Sequence, residues 1–220
     1  MNDVTIRFYG ELNDFLQPGQ KQMAFRHCFY GQPSVKDLIE SLGVPHTEVD
    51  LLLIDGESAS FGHHLQGGER VAAYPFFKHL DIPGLTRVWL DALTHYRFIL
   101  DVHLGKLALY LRMMGFDTLY QNDASDDHLA AISAAEKRIL LTFDRSLLKR
   151  KKVTYGYGVR SLMPSAQLLE VLRRFDLFDR ISPFQRCLRC NAGKVYWKES
   201  HYDHMQGFIE KVRAISTRED

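Results

Sequence analysis

The chain has 220 residues and a formal net charge of +1, with 45% hydrophobic residues. That length suits one large domain or two small ones, and the neutral balance excludes a globally basic nucleic-acid binder, so any such partner must meet a local patch. Three cysteines exclude a disulfide framework. No apolar run approaches the roughly 18 residues needed to span a bilayer, and MNDVTIRFYG has neither the basic nor the apolar part of a secretory signal, so the expected compartment is the cytoplasm, with no membrane partner.

Val4, Ile6 and Phe8 alternate with Thr5 and Arg7, the period of a half-buried strand, and Pro18-Gly19 turns the chain toward a second strand near residues 22–29. Lone Cys28 on that strand reads as a small core residue rather than a nucleophile. Ser34 is the expected cap of a helix with Asp37 three residues on, an apolar stripe of Val35, Leu38, Ile39 and Leu42, and a stop at Gly43. Residues 51–54 and 70–74 supply two more strands, with turns at Asp55-Gly56 and Gly67-Gly68. A hairpin, one helix and two further strands is the order of a β-grasp, the ubiquitin-like fold, expected over residues 1–80. It resembles the small sulfur carriers, but those end in a free Gly-Gly and this chain continues through Tyr74-Pro75-Phe76-Phe77. A docking or substrate-positioning module, with a protein partner of its own, is therefore the better expectation.

After a linker over residues 81–96, the pattern becomes α/β. Residues 97–100 form an apolar strand ending at Asp101, and Leu104, Leu107, Ala108, Leu111 and Met114 follow at helical spacing up to Gly115. Residues 116–120 make the next strand, Asp126 opens a second helix, and residues 138–142 form a third strand closing on Asp144. In a parallel sheet all strand carboxyl ends share one edge, so Asp101, Asp126 and Asp144 converge in the crevice where such sheets bind ligands. Clustered carboxylates repel one another unless a hard cation lies between them, and Mg²⁺ or Mn²⁺ is the usual one. This is how a metal-dependent nuclease collects its ligands. Asp126 could instead be only a helix cap. Asp117, near a strand start, would point to the opposite edge, and His103 beside a helix start reads as structural. Lys106, Arg112, Arg145, Lys149 and Arg150 are the candidate RNA phosphate contacts, the last two within the run Lys149-Arg150-Lys151-Lys152. The alternative for these cations is a solvated helix surface.

The segments D-V-H-L-G-K-L-A-x-Y-L-R-M-M-G-F-D-T-L-Y, S-D-D-H-L and R-I-L-L-T-F-D-R-S-L-L-K-R resemble the RNase domain found at the C-terminus of the Mut-seven exonuclease, a PIN-like nuclease family. Many of its bacterial members carry an N-terminal ubiquitin-like domain. The resemblance implies a PIN-like three-layer α/β domain over residues 97–180, with Asp101, Asp126 and Asp144 in the places of the family's acidic site. The chain departs at Phe143, where the family usually has Arg in T-R-D, which removes an RNA contact. No clear candidate stands for the fourth acid that PIN nucleases often use.

Residues 181–220 read as a reduced zinc-ribbon-like tail. Cys187-Leu188-Arg189-Cys190 has zinc-binding spacing. Family members insert a second C-x₂-C before the G-x-V-Y-W segment, and here the chain runs straight from Asn191-Ala192 into Gly193. Either Cys187, Cys190, His201 and His204 hold Zn²⁺, or the knuckle is a metal-free remnant. The short span and tight His pair weigh toward the remnant. Trp197, Tyr196 and Tyr202 among Lys194, Lys198 and His201 could stack on unpaired bases or pack on the nuclease domain. The expected function is a metal-dependent ribonuclease acting through Asp101, Asp126 and Asp144 with Mg²⁺ or Mn²⁺. The alternative is a non-catalytic RNA-binding or adaptor protein with a degenerate site.

Overall fold

Strand β1 (Asn2–Phe8) buries Val4, Ile6 and Phe8 while Arg7 stays exposed, as period-two alternation requires. The computed structural model describes residues 1–76, 95–193 and 202–216, and the chain divides into two units, Met1–Thr94 and His95–Asp220. The linker expected at 81–96 falls almost wholly outside the described residues, as do Lys194, Tyr196, Trp197, Lys198 and His201.

In the first unit β2 (Phe25–Phe29) pairs antiparallel with β1. The connection is two short 3-10 segments, Gly10–Phe15 and Pro18–Gln20, rather than a tight turn. Phe29 is the buried end of β2, and Cys28 points the other way and is exposed, so the expectation of a core thiol is corrected. The register decides this, because neighbouring side chains on a strand take opposite faces. Helix α1 (Val35–Ser41) begins with a reciprocal cap in which the Asp37 amide donates to Ser34 Oγ at 3.1 Å and the Ser34 amide donates to Asp37 Oδ2 at 3.3 Å. Strands β3 (Leu51–Ile54), β4 (Glu57–Ser58) and β5 (Arg70–Tyr74) complete a sheet of order β2-β1-β5-β3-β4. The first and last strands, β1 and β5, are central and parallel, the β-grasp arrangement. Val4, Ile6, Leu38, Ile39, Leu52 and Val71 form its core.

The second unit is a parallel sheet between helices. Strands β6 (Arg97–Leu100), β7 (Asp117–Tyr120), β8 (Ile139–Thr142) and β9 (Gly156–Gly158) lie in the order β7-β6-β8-β9, every pair parallel. Helix α2 (Gly105–Met113) joins β6 to β7 and α3 (Asp126–Glu136) joins β7 to β8, while the short α4 (Arg145–Leu148) follows β8 and α5 (Pro164–Arg174) follows β9. Side chains from successive strand residues separate the layers. Ile99 and Leu140 pack with Leu129 and Ala130 of α3 and Leu147 and Leu148 of α4. Phe98 meets Phe116 and Phe175 on the side where α2 contacts α5. This is the three-layer, PIN-like α/β arrangement. The β9 strand, in the Gly-rich stretch 156–158, was not foreseen from the sequence pattern.

The tail beyond residue 181 is more than a knuckle. It contains α6 (Tyr202–Ser216), whose Phe208 ring lies 4.8 Å from Tyr110 of α2 and whose Arg213 donates to the Ile181 carbonyl. Tyr202 stacks on Phe184 at 4.6 Å, so this ring packs on its own unit. The zinc-ribbon form expected for the tail is not seen among the described residues. No helix among them is long and apolar enough to cross a membrane.

Gly115 lets this tail close over α2. Its φ is +98°, and an added Cβ would lie 2.0 Å from the Ser182 carbonyl oxygen, while the Ser182 amide donates to the Met114 carbonyl at 2.9 Å. Gly115→Ala should therefore cost more than the roughly 1–3 kcal/mol of a forced left-handed residue alone. Urea unfolding of the full chain measures this, and a loss below about 1 kcal/mol would contradict the close approach.

Candidate active site

The strand order places the chemistry. From β6 the chain moves to one side to form β7 and then returns to the other side to form β8, so the winding reverses between β6 and β8. Such a switch point opens a crevice outside the strand carboxyl ends, because the two connections leave in opposite directions. Asp101 follows β6 directly and Asp144 lies two residues past β8. The Asp101 amide donates to the Leu141 carbonyl at 3.1 Å, extending the ladder to the crevice.

Thr142 ties the two aspartates together. Its hydroxyl donates to Asp101 Oδ2 and accepts from the Asp144 amide, the latter at 2.8 Å. Asp101 Oδ2 also accepts from the Phe143 amide at 3.1 Å, and Oδ1 accepts from the His103 amide at 2.8 Å. Asp101 is 6% exposed, so these bonds hold a nearly buried carboxylate in one orientation. Asp144 caps α4, its two oxygens accepting from the Ser146 amide at 2.7 Å and the Ser146 hydroxyl at 2.8 Å, and it is exposed. A carboxylate has about four lone-pair sites, which leaves Asp101 with one and Asp144 with two still open.

Asp126 behaves differently. The cap of α3 is Ser125, whose hydroxyl accepts from the His128 amide, and Asp126 is the first helical residue. Its carboxylate lies 3.4 Å from Arg150, which also pairs with Asp127. All three aspartates thus follow strand carboxyl ends, but hydrogen bonds join only Asp101 and Asp144 to a common residue. Among the described residues no three His, Cys, Asp or Glu side chains stand together in a cluster able to hold a metal ion. Of the expected zinc set, His201 lies outside the described residues, Cys187 is half-buried, and Cys190 and His204 are exposed.

The candidate phosphate contacts divide as well. Lys106 and Arg145 are exposed and Lys149 is half-buried. Arg150 is engaged by Asp126 and Asp127. Arg112 is 4% exposed and works inside the fold. Its Nε donates to the Thr118 carbonyl at 2.9 Å and its Nη1 to the Leu188 and Arg189 carbonyls at 2.8 and 3.0 Å, so it fastens the Cys knuckle to α2 and β7. Burial lowers its pKa, against the opposing pull of Cys187, Cys190 and Asp117, but a guanidinium keeps its charge in proteins.

The opposite edge of the sheet carries Asp117, which faces away from the crevice as its strand-start position predicts. Arg138 donates to Asp117 Oδ1 at 2.7 Å, Asn191 Nδ2 donates to the same oxygen at 2.8 Å, and Arg186 lies 3.6 Å from Oδ2. Burial acts to raise this carboxyl, and the bonds from Arg138 and Asn191 overcome it, holding the pKa below the ordinary value.

A family model described as Mut7-C RNAse domain matches residues 96–193, and one described as Mut7-C ubiquitin matches residues 1–81. The chain belongs to the Mut7-C family. No curated protein and no solved structure matches it. The Mut7-C RNAse match spans all three aspartates and ends at Gly193, within the knuckle region that Arg112 secures. Its description suggests a nuclease acting on RNA. Two residues of this Mut7-C site escaped sequence reasoning. Thr142 was visible only as the one polar residue closing the apolar strand ILLT, and Ser146 only as a small polar residue after Asp144.

Thr142→Val keeps the shape and removes the hydroxyl, leaving the buried Asp101 oxygen one donor short. A loss of about 1–3 kcal/mol is expected in urea unfolding. An unchanged midpoint would show that the Thr142 link contributes nothing. For Asp117, a lowered folded pKa means stability that is full above the unfolded value of about 3.9 and is lost as pH falls through the folded one. Asp117→Asn should be less stable than the parent at neutral pH, with the gap narrowing under acid below about pH 4. Parallel pH dependence of the two proteins would refute this linkage.

Proposed function

We propose that the chain is a metal-dependent ribonuclease that hydrolyses phosphodiester bonds at the β6–β8 crevice, with Asp101 and Asp144 as the principal carboxylates. The observation that carries the reading is this pair, oriented by Thr142 at the switch point and retaining open lone pairs. The donor set is all oxygen, which suits Mg²⁺ or Mn²⁺ by chemistry. Mg²⁺ is commonly held by only one or two carboxylates and keeps several waters, so the absence of a closed three-carboxylate cage among the described residues fits this mode of binding. When bound, such a cation would lower the pKa of a coordinated water and offset charge on the phosphate. Asp101 and Asp144 would hold it, and Lys106 and Arg145 would steady the phosphate oxygens. Asp126 is assigned a role in this reading only once the Arg150 side chain is displaced, for which the polyanionic substrate is the natural competitor.

Zinc at the knuckle forms no part of the reaction in this reading. The β-grasp unit is assigned to recruiting or orienting a substrate or protein partner, since the chain continues past it without a free carrier terminus. The Asp126–Arg150 pair and the exposed Phe143 favour a second reading, a non-catalytic RNA-binding or adaptor protein.

A mixed labelled RNA pool incubated with Mn²⁺ or with EDTA, beside Asp144→Asn, separates the two. Asp144 is exposed, so its replacement spares the core. The ribonuclease reading expects cleavage that EDTA abolishes and that falls at least about a hundredfold in the variant, beyond the effect of a merely supporting group. Equal cleavage by the variant would remove Asp144 from the site, and intact RNA bound by a folded protein would establish the adaptor reading.

A further inference from the structure

A second concavity, of about 210 Å³, lies beside the edge strand β7. Ile99, Leu119 and Leu129 give it apolar walls, and Gln121, Arg112 and Arg189 supply polar groups. The volume falls below the roughly 300–1,000 Å³ typical of pockets for larger ligands, and so suits a single ring system rather than a whole nucleotide.

Arg112 points to an occupant. It lines the cavity at 4% exposure, and while Nε and Nη1 are taken by three carbonyls, Nη2 makes no hydrogen bond among the described residues. A guanidinium has donors only, so Nη2 can form a hydrogen bond only with an acceptor brought to it. An acceptor entering the cavity would satisfy it. The position of the cavity connects it with the carboxylates. Tyr120 also lines it, pairs in register with Leu100, and donates from its hydroxyl to the Val102 carbonyl at 3.0 Å, so one residue of the wall braces the turn that follows Asp101.

We propose that this cavity is a base subsite for single-stranded RNA, taking one unpaired nucleobase with an acceptor-rich edge, guanine before the others, and thereby setting a sequence preference beside the cut. Guanine offers O6 and N7 as adjacent acceptors, which arginine recognises best, and here Arg112 and Arg189 each supply donors. The apolar walls take the ring faces. A base inside a duplex cannot reach such a cavity, so the substrate class is unpaired RNA. The inference rests on the ribonuclease reading for its biological meaning, but binding tests it without any cleavage.

The test is fluorescence anisotropy of the full chain with labelled uridine pentamers carrying a central G, A, C or U, in EDTA, with GMP as competitor. The G pentamer should bind about tenfold tighter than the U pentamer, within the discrimination expected of a good base contact. Arg189→Ala, at an exposed side chain, and Ile132→Trp, which fills the cavity, should each erase the preference, while Asp144→Asn retains it. If Ile132→Trp misfolds, Arg189→Ala still decides. Equal affinity for all four pentamers, or a preference that survives in Arg189→Ala, would overturn the proposal. GMP competing as strongly as the G pentamer would overturn it too, by making the cavity a site for free nucleotide. Because the readout is binding, failure of the ribonuclease reading would appear separately, as absent cleavage with the base preference intact.

Discussion

Parallel pairing of β6 with β8, with β7 sent to the far side of β6, is the constraint on which the second unit depends. Parallel neighbours require crossover connections, and reversing their direction forces the loops after β6 and β8 to diverge. The divergence leaves room at the carboxyl edge, and the ladder delivers Asp101 there by one more bond, to Leu141. Thr142 then converts proximity into orientation, because its hydroxyl serves as donor to Asp101 and acceptor for Asp144 at once. A flexible carboxylate would lose side-chain freedom on binding a cation, and one already held by backbone amides has lost it during folding.

The two edges of this sheet use charge in opposite ways. At the amino edge Asp117 is saturated by Arg138, Asn191 and Arg186, so the charges are consumed in holding the strands and the tail together. Arg112 does the same for the knuckle, through carbonyls rather than carboxylates. At the carboxyl edge the aspartates are oriented by amides and hydroxyls of the turns after β6 and β8, which leaves lone pairs open. Neutral donors orient without neutralising, and that distinguishes a site able to attract a cation from an ion-pair network. Asp126 lies between the two cases, since Arg150 partly neutralises it.

Much of the architecture was legible because it rests on local periodicity. The alternation in β1, the Ser34–Asp37 cap and the apolar strands ending at Asp101 and near Asp144 each depend on neighbours in sequence, and each is found in place. Cys28 was misread because period two alone does not say which face a strand buries; pairing with β1 decides that. Strand β9 was missed because Gly156 and Gly158 carry no side-chain pattern, and its existence depends on the open edge of β8. The internal bonds of Arg112 were not legible because a cation off an apolar stripe looks solvated until a distant segment covers it. The Leu188 and Arg189 carbonyls that do so are more than seventy residues away.

The sequence by itself determined the two-part organisation, the β-grasp order, the α/β alternation and the placement of three aspartates after strand carboxyl ends, because these follow from short-range pattern and the one-edge rule of parallel sheets. Only the tertiary structure decided which acids share a partner, which cations are already engaged, and where a cavity forms beside β7. Those outcomes come from contacts between residues far apart in sequence. Their geometry is set by strand order and packing, and no local pattern encodes it.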